Sequence, residues 1–307
     1  MASGTRRNLI SPMHAIVIDR LSKWYGSRQA VCDLSLEVCA GSIFGFLGPN
    51  GSGKTTTIRV LMGLLKPTAG AAFILDQDCT SVESVRSQVG YLPGDLRIYP
   101  WLTAAKALSI FSRARGKDLL AEGRRLCASL SLDPALPASR MSRGTRQKLG
   151  LVLALAHQPE VLILDEPTNS LDPIVQAVVY SELRRQAASG RTVFLSSHTL
   201  SEVADLCDHV AILREGHLVA HETLTELRRS APRQVNLVFR RDSVPSAAPA
   251  FLTVLERSSN SWRCTLRGDS SELIAWCAQQ HLEDLSVCPP DLPSLFQRFY
   301  EQGSKPA

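Results

Sequence analysis

The sequence predicts an α/β protein: a mostly parallel sheet with helices packed on its faces, followed by a second, smaller α/β domain. Three observations carry that prediction. From Ser42 to Leu213 short apolar runs alternate with stretches of helical periodicity, the pattern of parallel strands joined by helical crossovers. The first of these strands runs into a glycine-rich loop, Gly48-Pro49-Asn50-Gly51-Ser52-Gly53-Lys54-Thr55-Thr56, and the loop runs into a helix. At Arg228 to Gln234 the regular pattern gives way to R-R-S-A-P-R-Q, and the residues beyond it have strands and helices of their own. A chain of 307 residues suits two domains, and 44% hydrophobic with 21% charged residues excludes the disordered and fibrous classes.

Taken in order, His14 to Asp19 and Ser35 to Cys39 read as strands, with Lys23-Trp24-Tyr25-Gly26 between them as a loop carrying two aromatics. Ser42 to Leu47 is a buried strand, and Thr56 to Leu65 a helix with Ile58, Leu61, Met62 and Leu65 on one face. Ala71 to Leu75 and Val89 to Leu92 are short strands, the second closed by Pro93-Gly94. Helical stretches follow from Thr103 to Arg115 and from Leu119 to Leu130, ended by Asp133-Pro134 and Leu136-Pro137. Arg146 to Ala156 is a further helix, stopped by Pro159, and Val161 to Leu164 an apolar strand. Asp172-Pro173 is a cap followed by proline at the first helical position, and Gly190 is the matching stop. Thr192 to Leu195, Thr199 to Leu206 and His209 to Leu213 repeat strand, helix, strand. In the tail, Val235 to Phe239, Trp262 to Leu266 and Leu285 to Cys288 read as strands, with helical patterns at Ser271 to Gln280 and Leu292 to Tyr300. Ser243 to Ala250 reads as a loop.

Several functions are excluded at this level. No apolar run approaches the ~18 residues of a membrane span, so a chain of this composition is not expected to cross a bilayer alone. The Thr5 to Ile10 segment has twin arginines, but Ser11-Pro12, His14 and Asp19 interrupt the apolar segment an export signal needs. The eight cysteines include no C-x-x-C pair and no histidine cluster, so they are expected to be reduced core residues of a cytosolic protein. A net charge of +5, dispersed along the chain, argues against nucleic acid as a partner.

The loop at 48–56 is where chemistry concentrates. The spacing G-x-x-x-x-G-K-[ST] lets successive backbone N–H groups point inward at a β-phosphate, and the helix that follows adds the positive end of its dipole. Gly48, Asn50, Gly51, Ser52, Gly53 and Thr56 belong to this cradle; Lys54 supplies a charge to the β- and γ-phosphates, and the Thr55 hydroxyl a ligand for Mg²⁺. Average composition would produce the four fixed positions by accident in about 1% of chains of this length, which disfavours a plain turn. The strand at Val161 to Leu164 ends in Asp165 and Glu166, at the edge of the sheet where ligands bind. Asp165 suits the Mg²⁺ hydration shell, and Glu166 the attacking water.

With these residues in place the chain resembles the ATP-binding subunit of an ABC transporter, over residues 14 to about 220. Ser142-Arg143-Gly144-Thr145-Arg146-Gln147 is similar to the family's signature segment, with Ser142 and Gly144 matching its serine and second glycine. Ser170-Leu171-Asp172 follows Glu166 as the family's D-loop does, and His198 after Ser196-Ser197 matches its switch histidine. Tyr25 falls where the family places an aromatic against adenine. The resemblance implies a P-loop NTPase of the ABC ATPase type with antiparallel N-terminal strands and a helical subdomain at about 95–158, all within a nucleotide-binding domain at 14–228. A small accessory domain would follow at 232–307, loosely similar to the extra C-terminal domains of drug- and antibiotic-type exporter subunits. It further implies ATP and Mg²⁺ as cofactors, catalysis by Glu166 and His198, and a homodimer closed by ATP in which Ser142, Gly144 and Asp172 meet the partner's nucleotide. A separate transmembrane permease is the implied partner, at the cytoplasmic face of the membrane.

Three positions depart from the family's pattern. Leu92-Pro93-Gly94-Asp95 lacks the usual glutamine, so Asp95, a water or the surrounding loop is expected to replace it. Arg143 and Thr145 stand where glycine and glutamine are usual, and Ser170 where glycine is usual. Export is favoured over import because of the tail and the missing glutamine. The competing reading, a soluble ABC-type ATPase acting on nucleic acid or ribosomes, lacks its usual marks: there is one cradle and no long heptad run between Lys54 and Asp165. A non-hydrolysing regulatory module is a third reading.

Overall fold

Two long strands, β1 (His14–Tyr25) and β2 (Arg28–Cys39), open the chain as a hairpin turning at Gly26 and Ser27. The two aromatics read from sequence as loop residues, Trp24 and Tyr25, are therefore the last residues of a strand. The expected strands at 14–19 and 35–39 are only the outer parts of longer ones. Alternation fails to show this because β1 breaks register at several points, with Arg20 and Asp33 in the left-handed region, so apolar residues do not stay on one face. The computed structural model describes residues 14–80, 86–231, 233–240, 243–267 and 270–290. It divides into two compact units, one ending at His221 and one beginning at Glu222.

In the first unit, β1 and β2 join β4 (Ala69–Ile74) and β5 (Gln77–Asp78) in an antiparallel sheet of order β2-β1-β4-β5. The second sheet is built from β3 (Ile43–Leu47), β6 (Val89–Leu92), β7 (Val161–Asp165), β8 (Thr192–Ser197), β9 (His209–Arg214) and β10 (His217–Thr223), in the order β10-β9-β3-β8-β7-β6. Every pairing from β9 through β3, β8 and β7 to β6 is parallel, as the alternation predicted. Strands β3, β7 and β8 are buried along their whole length, the condition of parallel strands covered on both faces. Phe44, Phe46 and Phe194 fill their centre, with Phe44 and Phe194 stacked at 5.7 Å between ring centroids.

Among the described residues this unit includes the helices α1 (Lys54–Leu61), α2 (Ala104–Arg115), α3 (Leu120–Ser129), α4 (Arg143–Leu155), α5 (Pro173–Ala188) and α6 (Leu200–Leu206), with a 3₁₀ turn at Ala138–Arg140. Helix α1 starts two residues before its apolar stripe because Gly53 and Lys54 turn out of the loop directly, and it stops at Leu61 ahead of the left-handed Gly63. Helix α4 starts at Arg143 rather than Arg146, since the Ser142 hydroxyl accepts the Thr145 N–H and caps it there. Helices α5 and α6 lie on β3 and β8, and α4 on β6, while α2, α3 and α4 pack on one another as the helical region between β6 and β7.

The second unit begins with the end of β10 and α7 (Leu224–Ser230), which a Thr223–Glu226 capping box starts. Its sheet, β12 (Leu252–Arg257), β13 (Ser261–Leu266), β11 (Arg233–Phe239) and β14 (Leu282–Pro290), is antiparallel in that order. Helix α8 (Ser270–Cys277) places Leu273 and Cys277 in a core with Val235, Leu237, Phe239 and Trp262. Strand β12 escaped the sequence pattern, because four of its six residues face solvent. The composition change at Arg228 to Gln234 lies inside this unit, and the helical pattern at Leu292 to Tyr300 lies outside the described residues. Among the described residues no helix is long and apolar enough to cross a membrane.

Candidate active site

The order β3-β8-β7 decides the geometry, because β8 separates the strand that feeds the glycine loop from the strand that ends in two acids. Register sets Ser197 beside Leu47 and Ser196 beside Asp165. Both loops are then tied to β8: Gly48 N–H donates to Ser197 O at 3.2 Å, and Glu166 N–H to Ser196 O at 3.2 Å. The Ser196 hydroxyl donates to Asp165 Oδ1 at 2.5 Å and accepts from Glu166 N–H at 3.1 Å, clamping the acid strand end.

The loop itself is formed by backbone that only glycine allows. Gly53 has φ +108°, and a Cβ there would fall 2.5 Å from the Ala30 carbonyl oxygen. Lys54 is buried, with Nζ donating to the carbonyls of Gly48 at 2.5 Å and Pro49 at 3.1 Å. Burial lowers its pKa, against the raising influence of Glu166 and Asp165. Thr55 Oγ1 donates to Asp165 Oδ2 at 2.9 Å, so the two residues expected to serve Mg²⁺ meet across 110 positions of sequence. A hydroxyl and a carboxylate at this separation are the hard oxygen donors Mg²⁺ prefers, and the buried Ser52 hydroxyl beneath Gly48 has no hydrogen-bond partner among the described residues. The residues present thus fit a metal–phosphate group.

Glu166 takes φ +52°, a conformation rare for a side chain of its size, at the turn after β7. Its carboxylate meets His198 Nδ1 at 3.2 Å through Oε1 and Asn169 Nδ2 at 3.1 Å through Oε2. The backbone of the same turn is supported by Gln147, whose Nε2 donates to Glu166 O at 3.0 Å and Pro167 O at 3.1 Å. Ser196, Gln147 and Asn169 are the supporting residues that sequence reasoning missed. Ser196 was legible only as a neighbour of His198, and Gln147 sits on a helix whose approach to this turn is purely tertiary.

A cleft of about 360 Å³ opens over the loop, lined by Tyr25, Asn50, Gly51, Gly53, Lys54, Thr55, Thr56 and Glu166 together with Arg28, Ala30 and Arg59. Tyr25 is 46% exposed at its wall, with Lys23 Nζ 5.5 Å from the ring centroid. Trp24 is not among the lining residues, as expected for the opposite face of a strand. Ser142, Gly144 and Asp172 are also outside this cleft. Ser142 caps α4, and Asp172 caps α5 by accepting the Val175 N–H at 3.0 Å. Gly144 presses on the D-loop: a Cβ there would fall 2.5 Å from Ser170 O, and Ser170 itself sits at φ +67°. At the missing glutamine, Gly94 lies against the Asp165 carboxylate, whereas the Asp95 carboxylate turns to Arg97 at 3.2 Å with both side chains largely exposed. The structure therefore places the loop backbone, and not Asp95, beside the metal-type residues.

The family model described as ABC transporter matches residues 31–169. Over 217 residues the chain is 38% identical to the bacitracin transport ATP-binding protein BcrA of Bacillus licheniformis, covering 68% of this chain and 70% of that protein. Over 216 residues it is 35% identical to the Nod factor export ATP-binding protein I of Paraburkholderia xenovorans (strain LB400), covering 68% and 71%. Among solved structures, an ATP-binding subunit of an ABC transporter superposes with TM-score 0.65 at 30% identity, over 70% of this chain and 92% of that one. A bacterial ABC transporter cassette solved as a dimer shares the fold, with TM-score 0.63 at 21% identity, over 68% and 98%.

Proposed function

The chain belongs to the ABC transporter family of ATP-binding cassettes, and on that premise we propose that it is the ATP-hydrolysing subunit of an exporter whose membrane-crossing part is a separate protein. One observation carries the reading: Thr55, bonded to Asp165, and Glu166, bonded to His198, both line the cleft that the glycine loop forms. Tyr25 offers a face for the adenine ring, and the loop amides with Lys54 take the phosphates. Thr55 and Asp165 would hold Mg²⁺, which supplies Lewis-acid neutralisation of phosphate charge when bound. Glu166 accepts a proton from the attacking water, and His198, oriented by the same carboxylate, contacts the γ-phosphate.

Ser142 and Gly144 lie outside this cleft, and Gly144 packs against the D-loop at Ser170. That separation supports a site completed by a second copy, with Ser142 and Asp172 of one protomer facing nucleotide bound to the other. Tyr99 and Trp101, exposed and stacked at 5.8 Å on the segment between β6 and α2, supply a surface suited to a membrane-protein partner. That partner would keep the subunit at the cytoplasmic face of the membrane, and the second unit is assigned as an accessory domain. The exporter direction follows the relatives, which are named for bacitracin transport and Nod factor export.

The test is phosphate release by the purified full chain with Mg²⁺ and ATP. Turnover is expected to fall by about 10³-fold or more in Lys54→Ala and Glu166→Ala. Turnover that survives both substitutions would reject the assignment.

A further inference from the structure

Beneath the Glu166–His198 pair lies a third carboxyl group with no role in the proposed reaction. Glu202, on α6, is 5% exposed, and it accepts two hydroxyl hydrogen bonds, from Thr168 Oγ1 at 2.6 Å and from Ser197 Oγ at 2.5 Å. Each donor belongs to one of the two turns that carry the pair. Thr168 is two residues beyond Glu166, in the turn after β7. Ser197 directly precedes His198, and its Oγ also accepts the Thr199 N–H at 2.9 Å, so it brackets the histidine from both sides. Burial raises the Glu202 pKa, and the two hydroxyl bonds oppose that rise.

We infer that Glu202 is a positioning residue: one buried carboxyl group, bonded to Thr168 and Ser197, sets the separation at which Glu166 and His198 meet. The inference rests on the reading of that pair as the hydrolytic centre. The physical reason is geometric. The two turns leave different strands, and beyond the Glu166 N–H bonds to Ser196, this buried group is a further tie between them, at the level of the side chains. Displacing a reacting group by about 1 Å costs roughly 100-fold in rate, whereas the phosphate loop that binds nucleotide is tied to β8 through Gly48, a different contact.

The test uses steady-state ATP turnover of the full chain. Glu202→Leu is expected to lower kcat by 10- to 100-fold while KM for ATP stays within about twofold, and Glu202→Gln, which keeps the shape and an acceptor, is expected to restore most of the loss. In a His198→Ala background the same Glu202→Leu change should cost less than twofold more, because the pair it aligns is already broken. Ser197→Ala removes one donor with little effect on packing and should reproduce the kcat loss even if Glu202→Leu folds poorly. Equal loss in the wild-type and His198→Ala backgrounds, or a rise in KM that accounts for the change, would overturn the inference. Wild-type protein without Lys54-dependent turnover would overturn the ATPase reading itself, and this inference with it.

Discussion

Asp165 makes two hydrogen bonds with two different partners, Thr55 from the phosphate loop and Ser196 from β8, and this is why one acid is fixed between metal-type and strand-type contacts. Both partners are neutral hydroxyls rather than cationic side chains. His157 shows the opposite use of burial. It is 6% exposed at the end of α4, with Nε2 3.3 Å from Val89 O, and burial first, then Arg115, lowers its pKa to about 4 from 6.5. The unfolded chain therefore takes up this proton first as pH falls. Stability is full above pH 6.5 and declines toward pH 4, by on the order of 3 kcal/mol from this residue. Urea unfolding of His157→Gln between those pH values should lose that part of the slope; an unchanged slope would remove His157 as its source.

At the scale of elements, α3 and α5 are joined by charges. Glu122 and Arg125 on α3 interleave with Glu182 and Arg185 on α5: Arg125 reaches Glu182 at 3.0 Å, and Arg185 reaches Glu122 at 2.8 Å, while each also pairs within its own helix at 2.7 Å. Glu182 is nearly buried and also accepts from Gln186 at 2.6 Å. The Arg125 hydrogen bond above all holds Glu122 below the usual carboxylate range, and Glu182 is lowered by its arginines in spite of burial. Both contribute stability that is present above about pH 4.5 and lost as pH falls through their lowered values. Arg185→Met should cost about 1–2 kcal/mol, measured by urea unfolding, and the loss should shrink in 1 M salt. Neither i,i+3 pair stands out in sequence; their crossing depends on two helices, one ending at Ser129 and the other starting at Pro173, being laid side by side. The helices themselves were legible, because their apolar periodicity repeats over a few turns and a cap such as Asp172 acts within one turn. The β1–β2 hairpin was not, because irregular register hides its alternation.

For the whole molecule, the prediction concerns a second copy. Ser142 caps α4 and lies away from the cleft, so Ser142→Arg should cost about 1 kcal/mol of stability through the lost cap and leave ATP binding by the monomer nearly intact. ATP-dependent dimerisation, followed by size-exclusion chromatography with light scattering, should be abolished, whereas Lys54→Ala should weaken monomer binding directly. Equal loss of monomer binding in both variants would contradict the shared site. The second unit is a separate core around Trp262 and Phe239, packed at 5.0 Å.

By itself the sequence determined the parallel sheet, the phosphate loop with Lys54 and Thr55, and the acids Asp165 and Glu166, because periodicity and motif spacing act over a few residues. Only the tertiary structure decided that β8 lies between β3 and β7. That placement ties Ser196 to Asp165 and Ser197, through Glu202, to Thr168, and brings His198 to 3.2 Å from Glu166. The pairing of β6 with β7 likewise set Gly94 against Asp165. Strand order and side-chain reach depend on packing between segments far apart in the chain, and no local pattern encodes them.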